Sequence, residues 1–297
     1  MEKVNAIILA GGKGTRLRPL TQNTPKPMLE VANKPVLDRV IEWLNGYNID
    51  EITITLGYKS EVIENHAQKL KGKINLIVEQ TPLGTAGAVK NAQKFLSQTF
   101  IVASGDALND IDLTAMLKSH YKSGKLVTLA VTNVENPSLY GVVNFDHDGT
   151  VKGFVEKPKT DIYGKSVNTG IYIINKSALD LIPPKTSYDF ARDLFPRLVE
   201  EKQLNAYVHS GYWCDIGDKQ SYHKACYHYK RIESKGVDLV DKTAKIDGKI
   251  QNCIVGKNCV IAEKSVLKNC VLLDGVTVYG IHENEIIGSG YAVSVNA

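Results

Sequence analysis

No stretch of this sequence approaches 18 consecutive apolar residues, so no membrane-spanning helix is predicted. The residues ahead of the first apolar run, Met1-Glu-Lys-Val-Asn5, are too few and too polar for the hydrophobic segment of a signal peptide. Cysteine is scarce. Cys214, Cys226, Cys253, Cys259 and Cys270 are odd in number and contain no C-x-x-C spacing, which argues against a disulfide framework and for reduced thiols in a cytoplasmic protein. There is no Lys/Arg-rich block, and 36 basic against 32 acidic residues leave a formal charge of only +4. That balance does not suggest a nucleic-acid surface, and no nucleic-acid or membrane partner is expected. At 297 residues the chain has room for one large α/β domain and a smaller one.

One local scarcity carries more information: there is no acidic residue between Gly11 and Leu29. The apolar run Ala6-Ile-Ile-Leu-Ala10 reads as a buried strand, and Gly11, Gly12 and Gly14 follow it at once. Lys13, Arg16, Arg18 and Lys26 then supply cations. Glycines let the backbone turn tightly and present bare N–H groups; with unopposed cations they suit an anion of high charge density such as a triphosphate. The plainer alternative is a surface loop with solvated charges. The length and mixture of the pattern favour the phosphate site.

Behind the loop, helical spacing over Lys34–Tyr47, Ser60–Leu70 and Thr85–Leu96 alternates with strands at Glu51–Leu56, Ile74–Val78 and Phe100–Ala103. This is the pattern of βαβ units and a mostly parallel sheet, whose ligands bind at the carboxyl ends of the strands. From about residue 126 the strands come closer together, at 126–131, 141–145, 151–155 and 167–174, with a hairpin turn at Asp148-Gly149, which predicts a mixed-sheet insertion. Helices are expected over 188–200 and 218–233. In the tail, Val255, Ile261, Leu267 and Leu273 recur every six residues, with Cys259, Ser265, Val271 and Thr277 as a second column. A hexapeptide period marks a β-helix, here of about three coils. The expected division is a catalytic domain over 1–235, a linker over 236–243 and a hexapeptide β-helix over 244–297, through which self-association is possible.

The remaining candidates sit at strand ends. Pro25 and Pro27 are expected to hold Lys26 on a stiff, extended mount, suited to a cation that meets charge in a transition state. In Glu79-Gln-Thr-Pro-Leu-Gly84-Thr85-Ala-Gly87, Gly84 permits close approach and a planar base could lie against the helix start. Glu79 could accept the N1–H and N2–H₂ edge of guanine, which uracil and thymine lack, or it could simply pair with a lysine. Asp106, directly after a strand, suits Mg²⁺. Asp110 and Asp112 compete with it, Asp112 being better read as a helix N-cap. Asp215, in the apolar strand Trp213-Cys-Asp-Ile, would need a partner such as a metal, whereas Asp218 is better read as a cap. Lys157 could hold a phosphate and Glu156 sugar hydroxyls, or the two could form a solvated pair. Asn168 could recognise a sugar or serve a turn, and Tyr140-Gly141 offers backbone to a ligand.

Gly11 through Pro27, followed in order by Gly105-Asp106, Glu156-Lys157-Pro158, Asn168-Thr169-Gly170 and Trp213-Cys-Asp215-Ile-Gly217, resembles the sugar-1-phosphate nucleotidyltransferases. The resemblance implies a Rossmann-like, mostly parallel sheet with a mixed-sheet sugar-binding insertion, and a short C-terminal left-handed β-helix. It implies the reaction of an NTP with a sugar 1-phosphate to an NDP-sugar and pyrophosphate, with Mg²⁺. The nucleotide set would be Leu9, Ala10, Gly11, Gly12, Gly14, Thr15, Arg16, Glu79, Gly84 and Thr85. Gly141, Glu156, Lys157, Asn168 and Thr169 would take the sugar phosphate, Asp106 and Asp215 the metal, and Arg16 and Lys26 the reacting phosphates. Leu83-Gly-Thr-Ala-Gly87 and the tail look most like mannose-1-phosphate guanylyltransferases. Thymidylyl and uridylyl relatives typically carry Gln near the Glu79 position and Gly-Leu-Ala in place of Gly84-Thr85-Ala86. Three rivals remain: thymidylyl or uridylyl transfer to glucose 1-phosphate, a non-catalytic regulatory subunit, and a hexapeptide acyltransferase with His282 as its base.

Overall fold

The structure, a computed structural model, describes residues 3–159 and 164–295. By internal contacts the chain separates into two units, Met1–Gly12 with Val40–Trp213 and Lys13–Arg39 with Cys214–Ala297. The sequence pattern places its division at 236–243; the contacts instead group residues 13–39 and the helix Lys219–Glu233 with the tail. Among the described residues no helix is long and apolar enough to cross a membrane.

The first unit is built on a nine-stranded sheet. Strands Thr99–Ser104, Asn5–Ala10, Glu51–Leu56 and Lys73–Val78 run parallel in that spatial order. Thr99–Ser104, Asn5–Ala10 and Glu51–Leu56 are buried along most of their length, as strands covered on both faces are, whereas the edge strand Lys73–Val78 is half-buried. Helices Ser60–Ala67 and Gly84–Asn91 make two of the crossovers that parallel neighbours require. The carboxyl ends therefore gather at one edge, where the chain leaves each strand at Gly11, Gly57, Glu79 and Gly105. On the other flank Ser166–Asn175 runs antiparallel to Thr99–Ser104 and pairs also with Val127–Asn133 and Gly141–Phe145. Val151–Glu156 and Leu204–Val208 complete this mixed half.

Two helices depart from the sequence pattern. The expected helix over 188–200 begins as a π-helical turn at Phe190–Leu194 before the α-helix Phe195–Glu200, where Pro196 has no N–H to donate. The helix at Gly84 ends at Asn91 and passes into a 3₁₀ turn, Gln93–Phe95. Phe154, Tyr172, Phe190 and Phe195 pack with ring centroids 5.1 to 5.7 Å apart, a rigid aromatic floor beneath the mixed half of the sheet.

In the second unit, Glu30–Val31 and Lys34–Pro35 form a tight hairpin. Its turn residues, Ala32 and Asn33, both take positive φ, 49° and 59°. This hairpin delays the following helix to Val36–Asn45. Buried Arg39 donates to the Val31 carbonyl and pairs with Glu233 at 2.7 Å. The tail forms three parallel sheets that stack into three coils, closed by the antiparallel strand Tyr291–Ser294. The first coil already starts at Leu239–Val240, inside the stretch expected to be a linker.

Between Val255 and Val278 the six-residue period slips once, and it is broken as well on either side, at Ile246–Ile250–Val255 and at Val278–His282–Ile287. Val255, Ile261 and Leu267 point inward, but Leu272 rather than Leu273 takes the next seat, in register with Val255. The second column likewise runs Cys253, Cys259, Ser265, Cys270 and Val276, not Val271 and Thr277. The turns explain the slip. Left-handed residues stand at Asn252, Asn258, Lys264, Asn269 and Gly275, so one side is a residue short. Asparagine tolerates that conformation better than most side chains. In an asparagine ladder the Asn252 amide donates to Asn269 Oδ1 at 2.7 Å and the Asn269 amide donates to Asn284 Oδ1 at 2.9 Å.

Candidate active site

In the first unit the candidate residues stand at the carboxyl ends of the strands. The loop after Asn5–Ala10 is pinned by its neighbours: Tyr58 N–H donates to the Gly11 carbonyl, and Gly105 N–H donates to that of Leu9. A Cβ on Gly57 would lie 2.8 Å from the Gly11 oxygen, and one on Gly105 2.9 Å from the Leu9 oxygen. A Cβ on Gly12 would meet nothing within 4 Å, so this amide stands in open space at the strand ends. Gly57 is a site-shaping residue that the sequence reading passed over; like Gly11 and Gly105, it is a glycine directly after a strand. Asp106 follows Gly105, and Ser104 donates its hydroxyl to Asp106 Oδ1. Asp110, the competing carboxylate, is exposed and lies 3.0 Å from His209 Nε2. Asp112 is an N-cap, accepting from the Ala115 amide at 3.0 Å.

Glu79 ends the strand Lys73–Val78. Its Oε2 accepts from the Leu83 amide at 3.5 Å, while Oε1 is buried without a partner among the described residues. Burial pushes the carboxyl above its usual range, against the lowering effect of the Leu83 amide. The glycines beyond it have partners within the protein: a Cβ on Gly84 would lie 2.6 Å from the Tyr188 oxygen, and one on Gly87 2.7 Å from that of Thr186. The Ala86 and Gly87 amides both donate to the Tyr188 carbonyl. The Thr85 hydroxyl donates to Asp189 Oδ2 at 2.8 Å and accepts the Phe190 amide at 3.0 Å. No sequence signal marked Tyr188 or Asp189.

On the mixed half, a bulge sets three residues, Thr169 to Ile171, against Ala130 alone. Gly170 makes it possible with φ +79°, over Ser104. The Asn168 side chain accepts from the Gly170 amide and donates to the Tyr172 hydroxyl at 3.0 Å. The Thr169 hydroxyl donates to the Ala130 carbonyl, and the Thr169 carbonyl accepts from Trp213 Nε1 at 2.9 Å. Trp213 also meets Tyr140 edge-on, with centroids 5.1 Å apart. Gly141 pairs with Glu156 in the ladder, and a Cβ there would lie 2.5 Å from the Phe154 ring and 2.9 Å from Glu156 Oε2. Glu156 and Lys157 form an ion pair at 3.0 Å. Lys157 sits at φ +47°, a left-handed setting that it shares with Lys59, Lys185, Lys202, Lys235 and Lys264.

The remaining candidates belong to the second unit. Gly14 has φ +60°, and its carbonyl accepts from the Leu17 amide and the Thr21 hydroxyl. A Cβ on it would lie 3.0 Å from Thr21 and 3.3 Å from Lys26. Lys26 does not stand on an extended mount: it opens a 3₁₀ turn, Lys26–Met28, and is only 8% exposed. Pro25 is extended but Pro27 falls within the turn, where its fixed φ is compatible with 3₁₀ geometry. Lys26 Nζ lies 3.0 Å from Asp215 Oδ1, so the half-buried Asp215 has a cation for a partner. Arg16 and Thr15 are exposed. A Cβ on Gly217 would lie 3.1 Å from Arg16 Nη2, so this glycine makes room for the guanidinium. Asp218 is an N-cap: burial opposes its ionisation, but the Ser221 amide and hydroxyl, and then Arg16, hold its carboxyl below the usual range.

Among the described residues no group of three or more His, Cys, Asp and Glu side chains forms a ready metal cage. Asp106 in the first unit and Asp215 in the second are each hard oxygen ligands of the kind that a divalent cation takes. All five cysteines are free thiols. His282 has both ring nitrogens engaged, with Glu285 at 2.6 Å and the Tyr279 carbonyl at 3.0 Å, a poor arrangement for an acyl-transfer base.

A sheet with a parallel half, a glycine loop after its first strand, cations that follow that loop in the sequence and a coiled tail define an α/β protein with a β-helical tail. The nucleotidyl transferase family model matches residues 5–232. Mannose-1-phosphate guanylyltransferase 1 of Arabidopsis thaliana is 35% identical, over 93% of this chain and 82% of that protein. The mannose-1-phosphate guanylyltransferase catalytic subunit beta of Drosophila melanogaster is 37% identical, over 81% and 70%. The crystal structure of HddC from Yersinia pseudotuberculosis complexed with GMP-PN superposes with a TM-score of 0.67 at 32% identity, over 77% of this chain and all of that one. The chain belongs to the nucleotidyl transferase family. Within it, the chain is a sugar-1-phosphate nucleotidyltransferase.

Proposed function

We propose that the protein transfers GMP from GTP to mannose 1-phosphate, forming GDP-mannose and pyrophosphate. The observation that carries the base choice is Glu79: a half-buried carboxylate at a strand's carboxyl end, one oxygen of which has no donor among the described residues. Guanine presents two adjacent donors to such a group. Relatives named for guanylyl transfer to mannose 1-phosphate support the same choice.

The amides of Gly11, Gly12 and Gly14 cradle the triphosphate, with Leu9, Ala10 and Thr15 forming the loop around it. Glu79, Gly84 and Thr85 shape the base site, and Gly141, Glu156, Asn168 and Thr169 shape the sugar site. Lys157 steadies the sugar phosphate, whose oxygen attacks the α-phosphorus in line as the bond to the β-phosphate breaks. No general base is needed, because the attacking monoester is already anionic at neutral pH. Lys26 meets charge at the α-phosphate, and Arg16 meets it on the departing pyrophosphate. Asp106 and Asp215 are the ligands for a divalent ion, Mg²⁺, which when bound neutralises phosphate charge. Lys26 holds Asp215 in place and prevents it from standing as an isolated charge. The setting is cytoplasmic, and the coils are a surface for self-association.

The test is pyrophosphate release across a matrix of nucleoside triphosphates and sugar 1-phosphates with Mg²⁺. Turnover strongest with GTP and mannose 1-phosphate is the expected result. Preference for dTTP or UTP with glucose 1-phosphate would overturn the assignment, and silence across the matrix would point to a regulatory subunit.

A further inference from the structure

We infer that base selection is set from a segment 104 residues beyond the base loop: Thr85 and Asp189 are positioning residues that hold Glu79 in register for guanine. The inference rests on the guanylyl reading above. It starts from the observation that the Thr85 hydroxyl is committed to the protein. It donates to Asp189 Oδ2 at 2.8 Å and accepts the Phe190 amide at 3.0 Å.

The same segment grips the loop at three more points. Tyr188 N–H donates to the Leu83 carbonyl at 2.8 Å, and the Tyr188 carbonyl takes the Ala86 and Gly87 amides, each at 2.9 Å. Gly84 and Gly87 admit this backbone because they have no Cβ. These two bonds use helix N-terminal donors that would otherwise face a ligand or water, so the helix start is anchored to the protein. Leu83, held by its carbonyl, offers its amide to Glu79 Oε2 at 3.5 Å. The orientation of the carboxylate thus depends on Leu83, and that of Leu83 on Tyr188–Asp189.

Asp189 cannot yield easily. Its Oδ1 accepts the Ala191 and Arg192 amides at 3.0 and 3.3 Å, and its own N–H donates to Asp193 Oδ2 at 2.7 Å. Asp189 is therefore shared: one oxygen caps the π-helical turn and the other takes Thr85. Losing that hydroxyl removes one of the ties on the loop and loosens its hold on Glu79, while the cap and the Tyr188 backbone bonds stay in place. A carboxylate that must meet two donors of a planar base at once tolerates little displacement, whereas bases not recognised through it are indifferent.

The experiment compares Thr85→Val, which keeps the volume and removes the hydroxyl, with Thr85→Ser and Asp189→Asn. The reads are kcat and KM for GTP and UTP at fixed sugar 1-phosphate, with Kd for both nucleotides by calorimetry. A hydrogen bond worth about 1 kcal/mol corresponds to roughly fivefold. Thr85→Val is expected to raise KM and Kd for GTP by about that factor or more and to move those for UTP much less, so that preference for GTP over UTP falls in proportion. Thr85→Ser should retain most of the preference, and Asp189→Asn should behave as Thr85→Val. Unchanged discrimination in folded Thr85→Val, or an equal loss in Thr85→Ser, overturns the inference. If Thr85→Val does not fold, Asp189→Asn decides by the same readout. A wild-type protein with no base preference in binding or turnover would refute the guanylyl reading itself, a separate outcome.

Discussion

Replacing Lys26 with methionine separates the two roles that its position combines. Methionine keeps an unbranched apolar stem in a site that is 8% exposed, so packing is largely retained and the ammonium is lost. The ammonium lies 3.0 Å from an Asp215 side chain that is 24% exposed. Breaking a fully buried pair costs about 3–5 kcal/mol, and an exposed pair is worth about 0–1. With one partner nearly buried and the other a quarter open, Lys26→Met should destabilise by about 1–3 kcal/mol. Its effect on turnover should be larger in kind. Removing one preorganised charge from a reacting phosphate is expected to lower kcat by about 10²–10³-fold, by analogy with the loss of an oxyanion-stabilising donor. Urea unfolding reads the first quantity, and pyrophosphate release at saturating GTP and mannose 1-phosphate, well below the unfolding transition, reads the second. Asp215→Asn added to Lys26→Met should recover part of the lost stability and none of the activity. A kcat within threefold of wild type while stability falls would refute the catalytic role and leave Lys26 a structural partner of Asp215.

Asp106→Asn keeps the shape of the side chain and removes its charge. It should lower turnover by about 10²-fold or more and weaken the response to Mg²⁺, and the Mg²⁺ dependence of pyrophosphate release reads both. Chelating divalent ions should abolish turnover in wild type, and adding Mg²⁺ back should restore it. In the coils, Leu272→Ala should cost about 2–5 kcal/mol and Leu273→Ala much less, because Leu272 is 1% exposed and Leu273 only half-buried; urea unfolding of the pair reads the register directly. Burial holds the His120 imidazole below its usual pKa of 6.5, with Asn175 opposing, and its nitrogens meet Thr128 and Asn175 at 2.9 and 3.1 Å. The folded state therefore binds fewer protons there than the unfolded state. The stabilising contribution is fully present above pH 6.5 and is lost as pH falls through the depressed value. Thermal melts between pH 7.5 and 5.5 should show this loss, and a His120→Asn variant should flatten it.

Gly11 to Lys26 carries its reading as an anion site in its composition, because such a site needs amides, cations and no opposing carboxylate, all of them local properties of the chain. The parallel sheet was legible from the alternation of apolar runs with helical spacing, and the caps at Asp112 and Asp218 from residue type and place. The coils were visible as a period. Their register was not, because it turns on which residue takes the left-handed corner at Asn269. The mount of Lys26 was misread, since two flanking prolines are compatible with a 3₁₀ turn as well as an extended one. Thr85 was read as a ligand contact because its partners, Asp189 and Phe190, lie more than a hundred residues away.

The sequence by itself thus determined the chemistry available to this protein: which groups carry charge, where backbone is bare, and which segments must be buried. Only the tertiary structure decided which of those groups are already committed. It gives Asp215 to Lys26, Asp110 to His209 and the Thr85 hydroxyl to Asp189, and it leaves one Glu79 oxygen without a donor among the described residues. The reason is physical: a polar group's function depends on what satisfies it, and in a folded chain the partner is chosen by packing between segments distant in sequence.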